Sequence, residues 1–155
     1  MSITTTTHLN FRGTARVALE FYRDVFGGRL FVTTYAEVGM PAGAPGADKL
    51  VFGQVESDRG IRLMAYDIPS HDDADGAAIA GSTRRENGAT FTDRTFFQSL
   101  QGDTLDEVTA LWNALSEGAE IIEPLAASAW SAGFGMLTDR FGVTWVVDVR
   151  AVAGA

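Results

Sequence analysis

The chain has 155 residues, a formal net charge of −8, an apolar content of 46% and no cysteine. This length suits one well-buried domain or two small modules. The negative charge argues against binding to nucleic acids or anionic membranes, which depends on clustered Lys and Arg. The lack of cysteine excludes disulfides and thiolate chemistry. The sequence shows neither a membrane-spanning apolar run nor a signal-peptide pattern, so we expect a soluble cytoplasmic protein.

The first half of the chain predicts a strand, a helix and three more strands. Residues 3–11 are Thr-rich and predict the first strand, and Thr14 is a candidate N-cap for a helix over residues 15–26. The predicted apolar stripe of this helix is Val17, Phe21 and Val25, flanked by Ala18, Tyr22 and Phe26. Gly27-Gly28 ends the helix. The three further strands are predicted at residues 29–38, 49–56 and 61–66.

The same pattern restarts after a polar, Gly-rich connector at residues 67–93, in which a short helix is predicted near residues 75–80. The sequence leaves open whether this connector is a lid over a cavity or a disordered linker. Thr104 and Glu107 have capping-box spacing at the start of a second helix, which Gly118 ends. Strands are predicted on both sides of this helix, at residues 94–101 and 119–124, and in a closing hairpin at residues 134–149.

The two halves match when the first is moved forward by 90 residues. The pairs that coincide are Thr14 with Thr104, Ala18 with Val108, Phe21 with Leu111, Tyr22 with Trp112, Val25 with Leu115, and Gly28 with Gly118. Cap, core and terminating positions therefore agree, which indicates an internal duplication of a βαβββ module. The alternative is two unrelated units that share ordinary helix punctuation.

Two end motifs resemble a known superfamily. They are LNFRGTARVALEFYRDVFGG at residues 9–28 and FGMLTDRFGVTWVV at residues 134–147, and residues 49–67 fit the same pattern more loosely. These stretches resemble the PhnB-like branch of the vicinal-oxygen-chelate superfamily, which includes glyoxalase I, extradiol dioxygenases and bleomycin-resistance proteins. The resemblance covers about half of the chain.

This resemblance implies an α+β fold in which two paired βαβββ modules form a curved mixed sheet around a cavity. It implies one domain, with module 1 at about residues 1–67, a connector at about 68–93 and module 2 at about 94–155. It also implies a homodimer as the expected partner arrangement. The residues expected to line the ligand cavity are Thr7, Leu9, Phe11, Leu63, Phe97, Trp130 and Trp145.

Metal-dependent members of the superfamily hold a divalent ion with four His, Glu or Gln side chains that point into the cavity. The resemblance places these positions at Thr7, at Leu63 or Met64, at Phe96 or Phe97, and at Val146. None of these side chains suits a catalytic divalent ion, so we expect no metal and no cofactor. His8 would face the other side of its strand unless the alignment shifts by one residue. The remaining alternative is a site built from His8, His71, Asp72 and Asp73.

Several other residues have a functional and a structural interpretation. Asp139 and Arg140 could hold a charged ligand or could structure their turn, and Asp67 could be a general base or a turn former. The aromatic residues Phe96, Phe97, Trp130 and Trp145 could line a pocket or fill a core.

Three functions are therefore predicted as alternatives. The first is a metal-free binding protein for a small, partly apolar molecule. The second is a metal-dependent lyase or dioxygenase with its ligands elsewhere, and the third is a structural or partner-binding dimer. The fold alone does not decide among them, because one fold hosts many chemistries.

Overall fold

The computed structural model describes residues 3–69 and 81–151 and has a mixed α+β structure. It divides into two compact units, Met1–Gly76 and Ala77–Ala155, called unit 1 and unit 2 below. Among the described residues, each unit contains one helix and one open four-stranded mixed sheet, so the predicted α+β fold class is confirmed. The short helix predicted near residues 75–80 lies outside the described residues. Within the described ranges, no helix is long and apolar enough to cross a membrane.

Unit 1 follows the predicted βαβββ order. Its elements are β1 (Thr7–Phe11), α1 (Ala15–Phe26), β2 (Arg29–Thr34), β3 (Leu50–Glu56) and β4 (Arg62–Asp67). Spatially the strands run in the order β1-β4-β3-β2, with β1 parallel to β4 and the other pairs antiparallel. β1 starts four residues later than predicted, and β2 ends four residues earlier.

The buried stripe of α1 contains the predicted flanking residues Ala18, Tyr22 and Phe26 but is not centred on the predicted Val17, Phe21 and Val25. The buried side chains are Ala15, Ala18, Leu19, Tyr22 and Phe26. Val17 is 53% exposed, and Phe21 and Val25 are half-buried. Both stripes have helical spacing, so periodicity alone could not choose between them. The buried face has small residues at its start. It packs on the sheet at Gly53, where Leu19 occupies the space that a Cβ would need.

Asp67, and not the side chain of Thr14, caps the start of α1. The Thr14 side chain makes no capping hydrogen bond. Oδ1 of Asp67, at the end of β4, instead accepts hydrogen bonds from the backbone N–H groups of Gly13 (2.8 Å) and Ala15 (2.9 Å). Its Oδ2 accepts from Leu50 N at 2.9 Å. One buried carboxylate therefore ties the helix to two strands.

Unit 2 repeats this architecture after an additional hairpin. Its elements are β5 (Thr83–Glu86), β6 (Ala89–Thr92), β7 (Gln98–Gly102), α2 (Leu105–Leu115), β8 (Glu120–Ala126), β9 (Phe134–Thr138) and β10 (Thr144–Val149). The main sheet has the order β7-β10-β9-β8, with β7 parallel to β10. Element order and strand order match those of unit 1, as the 90-residue offset predicts.

The β5–β6 hairpin is an element that the sequence analysis does not predict, and it lies within the connector at residues 67–93. Its turn is Asn87-Gly88, with φ of 52° and 78°. Two consecutive residues with positive φ form the tight turn that best matches the twist of a hairpin, and Asn-Gly is its strongest sequence signal. That signal stands in the sequence within TRRENGATFT, inside the predicted connector.

The predicted capping of α2 is confirmed. Thr104 Oγ1 accepts a hydrogen bond from Glu107 N at 3.2 Å. Glu107 in turn accepts from Asp103 N at 3.4 Å, one residue before the position that a standard capping box uses. The buried face of the helix contains the predicted residues Val108, Leu111, Trp112 and Leu115.

β8 is an irregular edge strand. It pairs with β9 on one side only, and its register shifts twice, between Ile121 and Glu123 and between Glu123 and Ala126. Pro124 lies inside the second irregular stretch and has no N–H to offer a neighbouring strand. The pairing of β8 with β9 is therefore interrupted twice, and Pro124 lies in the second interruption.

Candidate functional site

Each sheet has one face against its helix and one face away from it. In unit 1, an added Cβ on Gly53 would collide with Leu19, so Gly53 faces α1. Gly53 pairs with Ala65 and Ala65 pairs with Leu9, and paired residues share a face. Because side chains alternate along a strand, the residues just before and just after Leu9, Gly53 and Ala65 in each strand point away from α1. We call that opposite side the distal face of sheet 1.

The distal face of sheet 1 is a mixed polar and aromatic surface. One row crosses all four strands and consists of His8, Met64, Gln54 and Phe31. Asn10 and Tyr66 form the adjacent pair, and the rings of His8 and Tyr66 meet edge to face with centroids 5.4 Å apart. Side chains of this row are half-buried or exposed. The arrangement offers apolar contact together with imidazole, amide and phenol hydrogen-bonding groups.

Tyr35 makes a hydrogen bond to the backbone at the end of β4, beside the distal face of sheet 1. Its hydroxyl donates a 2.8 Å hydrogen bond to the carbonyl oxygen of Asp67. Burial raises the pKa of Tyr35 above its ordinary value of 10.0, and the nearby Tyr66 and Asp67 raise that pKa further. Tyr35 is therefore a proton-bearing donor at neutral pH and is already committed to the backbone.

The distal face of sheet 2 is defined in the same way. An added Cβ on Gly102 would lie 2.6 Å from Val108 Cγ2, so Gly102 faces α2. Val149 pairs with Gly102, which puts Val149, Val147 and Trp145 on the α2 side. The alternate residues face away from α2. They are Ser99 and Gln101 on β7, Val146 and Asp148 on β10, and Phe134 and Met136 on β9.

The β5–β6 hairpin covers part of this second distal face. Thr90 Oγ1 lies 3.7 Å from Met136 Sδ, and Met136 is only 1% exposed. Arg85 holds the hairpin down, because its guanidinium pairs with Glu123 at 3.1 Å and lies 4.9 Å from the centre of the Phe134 ring. The same guanidinium also donates to Thr90 Oγ1 and to Gly88 O within the hairpin. The hairpin is therefore attached through polar groups at its edge, and it covers the apolar side chain of Met136.

An aromatic pair with one exposed member lies beside the hairpin. Trp130 is 58% exposed and meets Phe134 edge to face, with centroids 5.5 Å apart. Asp148 pairs with Phe134 across the sheet, and its Oδ2 accepts a 3.1 Å hydrogen bond from Gln101. An exposed Trp next to a half-buried Phe and a hydrogen-bonded acid can stack on a flat apolar group and bind a polar edge.

The residues predicted to line a cavity occupy different environments. Four lie on the α1 side of sheet 1, namely Thr7, Leu9, Phe11 and Leu63, of which the last three are buried. In unit 2, Trp145 is buried on the α2 side, Phe97 is half-buried just before β7, and Trp130 is exposed. The structure brings Thr7 and Leu63 together as a strand pair. A cavity role for the helix-facing residues requires a ligand to reach the helix side of a sheet, and it stays a prediction.

The register of β1 determines which side chains lie on the same face as the metal positions that the resemblance implies. Thr7 faces α1, whereas His8 lies on the distal face opposite Met64. The equivalent parallel pair of sheet 2 is Ser99 with Val146. Thr7 and His8 therefore lie on opposite faces of β1, and the third implied position, Phe96 or Phe97, lies before β7 begins.

The side chains at these positions do not fit the four-ligand divalent ion site. Among them only the imidazole of His8 is a ligand of the required type, because a thioether, a hydroxyl and an alkyl group are poor ligands for a hard or borderline divalent ion. Within residues 3–69 and 81–151, no three His, Asp or Glu side chains cluster as metal ligands. His71, Asp72 and Asp73 of the alternative site lie outside the described residues.

The two acids with open interpretations have structural roles. Asp67 is 2% exposed and accepts the three backbone hydrogen bonds described above. Asp139 accepts from Phe141 N (2.9 Å) and Val143 N (3.0 Å) through Oδ1, and from Trp145 Nε1 (2.9 Å) through Oδ2. Arg140 pairs with Glu117 at 3.5 Å, on the surface.

Comparison with known proteins supports the superfamily resemblance. Protein PA1353 from Pseudomonas aeruginosa is 30% identical over 96% of this chain and 98% of its own, with a TM-score of 0.72. Two more distant structures share the fold. The PhnB protein from Bacillus cereus is 20% identical (TM-score 0.68; 96% and 100% of the two chains), and a glyoxylase/bleomycin resistance protein/dioxygenase domain from Frankia sp. EAN1pec is 13% identical (TM-score 0.58; 96% and 98%).

No curated protein matches the chain. The family match is nevertheless extensive, because it covers residues 8–147 and so includes both βαβββ units. This chain belongs to the Glyoxalase/Bleomycin resistance protein/Dioxygenase superfamily.

Proposed function

We propose that this protein binds a small, partly apolar molecule on a distal face of its sheets, without the four-ligand divalent ion of its metal-dependent relatives. No cofactor is part of this proposal. The observation that carries it is the chemistry of the two central strand pairs, His8 with Met64 and Ser99 with Val146. These pairs offer apolar contact and isolated hydrogen-bonding groups in place of a ligand set.

The surroundings of these pairs support the same chemistry. In unit 1, aromatic Phe31 and Tyr66 flank the amides of Gln54 and Asn10 on the distal face. In unit 2, the exposed Trp130 packs against Phe134. Flat apolar molecules gain contact area from such aromatic groups, and a few polar side chains fix their orientation.

The test measures binding of two flat apolar probes, indole and anilinonaphthalene sulfonate. Trp130 is the exposed tryptophan among the three in the chain, so saturable changes in tryptophan fluorescence that disappear in Trp130→Phe would place a probe near the second distal face. Met64→Lys and Val146→Lys each put a charge on one distal face. We expect at least one of them to weaken probe binding at least tenfold.

Val17→Lys is the matched control, because it adds the same charge at an exposed apolar position on the surface of α1. It should leave probe affinity unchanged. Equal loss of binding in all three lysine variants, or no saturable binding by the wild-type protein, would contradict the proposal.

The distal position of His8 favours a metal-dependent enzyme as the second candidate. The test is the metal content of the untagged protein, with melting scans in Ni²⁺, Zn²⁺, Mn²⁺ and Fe²⁺. The chain has two histidines, so His8→Ala and His71→Ala separate their contributions. Stoichiometric metal that His8→Ala abolishes and His71→Ala retains would establish this candidate. Unchanged melting in all four metals would favour the metal-free protein.

A homodimer remains part of the proposal, and a purely structural or partner-binding dimer is the third alternative. Exposed apolar side chains, including Val38 after β2 and Leu105 at the start of α2, are compatible with an interface. Sedimentation velocity would measure the mass of the species in solution. A dimer that binds neither probe would favour the structural role, and a monomer would remove the dimer from the proposal.

A further inference from the structure

Arg94 differs from every other arginine of unit 2. The other four pair with a carboxylate, in the pairs Arg84–Glu86 (2.9 Å), Arg85–Glu123 (3.1 Å), Arg140–Glu117 (3.5 Å) and Arg150–Asp103 (3.2 Å). Arg94 has no carboxylate partner among the residues that the structure describes. The chain has a net charge of −8, so acidic groups outnumber basic ones.

Neutral carbonyl groups hold this guanidinium in place. One terminal nitrogen donates to Gly142 O at 3.1 Å, in the turn between β9 and β10, and the other donates to Gly81 O at 3.2 Å, just before β5. The side chain therefore links the base of the hairpin to the turn of the main sheet. Two fixed contacts on one side chain orient the planar fork before any ligand arrives.

The five N–H donors of Arg94 are only partly satisfied. A guanidinium has five N–H donors, and the described residues accept two of them. Nε is buried and has no hydrogen-bond partner within the described part of the chain. A half-buried positive charge without a counter-charge is costly, and a nearby anion would offset that cost.

Neighbouring acids do not supply this counter-charge. Oδ1 of Asp93, the preceding residue in the chain, accepts a 2.7 Å hydrogen bond from the backbone N–H of Ser82. Asp139, at the start of the turn that contains Gly142, accepts from Phe141, Val143 and Trp145. Both carboxylates are thus directed to other groups, and the fork of Arg94 faces carbonyls.

From this geometry we infer a binding site for a small oxyanion, a carboxylate or a phosphate group, with Arg94 as its principal ligand. Both groups can accept paired, charge-assisted hydrogen bonds from the two terminal nitrogens, each of which donates one hydrogen bond to a carbonyl and keeps a second N–H. The site is independent of the proposed apolar ligand, because it uses neither central strand pair. It would recognise an acidic group, either on a small organic acid or on free phosphate.

The experiment titrates the folded wild-type protein with acetate and, separately, with inorganic phosphate, against sodium chloride at equal ionic strength. Nuclear magnetic resonance follows the amide signals of Gly81 and Gly142 and the Nε–H signal of Arg94. We expect saturable shifts of these signals with at least one oxyanion and none with chloride. The stronger of the two responses distinguishes a carboxylate site from a phosphate site.

Variants then assign the response to the side chain. Arg94→Gln should abolish it, and Arg94→Lys should weaken it at least fivefold, because lysine keeps the charge and loses the fork. Arg150→Gln is the matched control, since it removes the same charge from an exposed, already paired arginine and should retain the response.

Two results would overturn the inference. One is a wild-type protein whose signals respond no more to either oxyanion than to chloride, because Arg94 would then be satisfied by another group of this chain. The other is an equal response in Arg94→Gln and the wild type. If the Arg94 variants do not fold, the wild-type titration and the Arg150→Gln control still decide, because the Arg94 Nε–H signal reports directly on the side chain.

Discussion

The indole Nε1 of Trp145 donates a 2.9 Å hydrogen bond to Oδ2 of Asp139, six residues earlier on the other side of the closing turn. Both side chains are almost fully buried. The other carboxylate oxygen of Asp139 accepts two backbone N–H groups of the turn. The motif that resembles the superfamily at residues 134–147 is therefore held by one acid that serves both the turn and the following strand.

Replacing this acid should destabilise the protein strongly. Asp139→Ala leaves three donors without their acceptor, so we expect the free energy of unfolding to fall by about 3 kcal/mol or more. Trp145→Phe leaves one buried acceptor without its donor and should cost about 2 kcal/mol. Urea denaturation measures both changes. Arg140→Ala, next in the chain and on the surface, is the control and should change stability by less than about 0.5 kcal/mol.

The two helices should respond differently to loss of their N-cap threonines. Thr104→Ala removes a hydrogen bond to Glu107 N and should cost about 1 kcal/mol. Thr14→Ala should cost less than about 0.5 kcal/mol, because the Thr14 side chain makes no such bond. Asp67→Ala, which removes the actual cap of α1, should cost about 3 kcal/mol. Equal losses in the two threonine variants, measured by urea denaturation, would contradict this assignment.

Stability should decline in strongly alkaline solution through Tyr35. Its pKa is raised in the folded state by burial, with smaller effects of Tyr66 and Asp67. The unfolded chain then loses this proton at lower pH than the folded chain. The contribution of Tyr35 to the free energy of unfolding is therefore complete below its ordinary pKa of 10.0, and it is lost as the pH rises through the pKa of the folded state. Tyr35→Phe should flatten this decline. Parallel pH profiles of stability for variant and wild type would refute the effect.

The turn of the β5–β6 hairpin should tolerate substitution poorly at Gly88. An added Cβ there meets no atom within 4 Å, so any cost comes from its φ of 78°. We expect Gly88→Ala to cost about 1–2 kcal/mol and to speed hydrogen exchange in the hairpin. Gly43→Ala is the control, because Gly43 has equal space without a positive φ, and this change should be neutral. Exchange rates that rise equally in both variants would count against strain at Gly88.

Much of the fold could be predicted from the sequence because its signals are local. The capping spacing of Thr104 and Glu107 and the 90-residue repeat predicted both modules, and both are present. The cap of α1 could not be predicted, since its acceptor, Asp67, lies 52 residues from Ala15 and arrives only when β4 forms. The hairpin could have been predicted from Asn87-Gly88, whose turn chemistry outweighs the surrounding charge.

The candidate site was less predictable than the fold because a strand face depends on register. A shift of one residue exchanges Thr7 for His8 on a given face, and sequence similarity does not fix position to that accuracy. The environment of Arg94 was not predictable either. Its two carbonyl partners lie 13 and 48 residues away and become neighbours only through the tertiary structure.

The irregular β8 has a consequence for how the chain behaves at high concentration. A regular edge strand is a template on which other chains can add strands without limit, which leads to fibrils. Pro124 has no N–H, and the register of β8 against β9 shifts twice, so β8 does not offer the evenly spaced backbone donors that such growth needs. We therefore expect Pro124 to protect this strand against open-ended aggregation, and a Pro124→Val protein should form thioflavin-positive fibrils at concentrations where the wild-type protein stays clear.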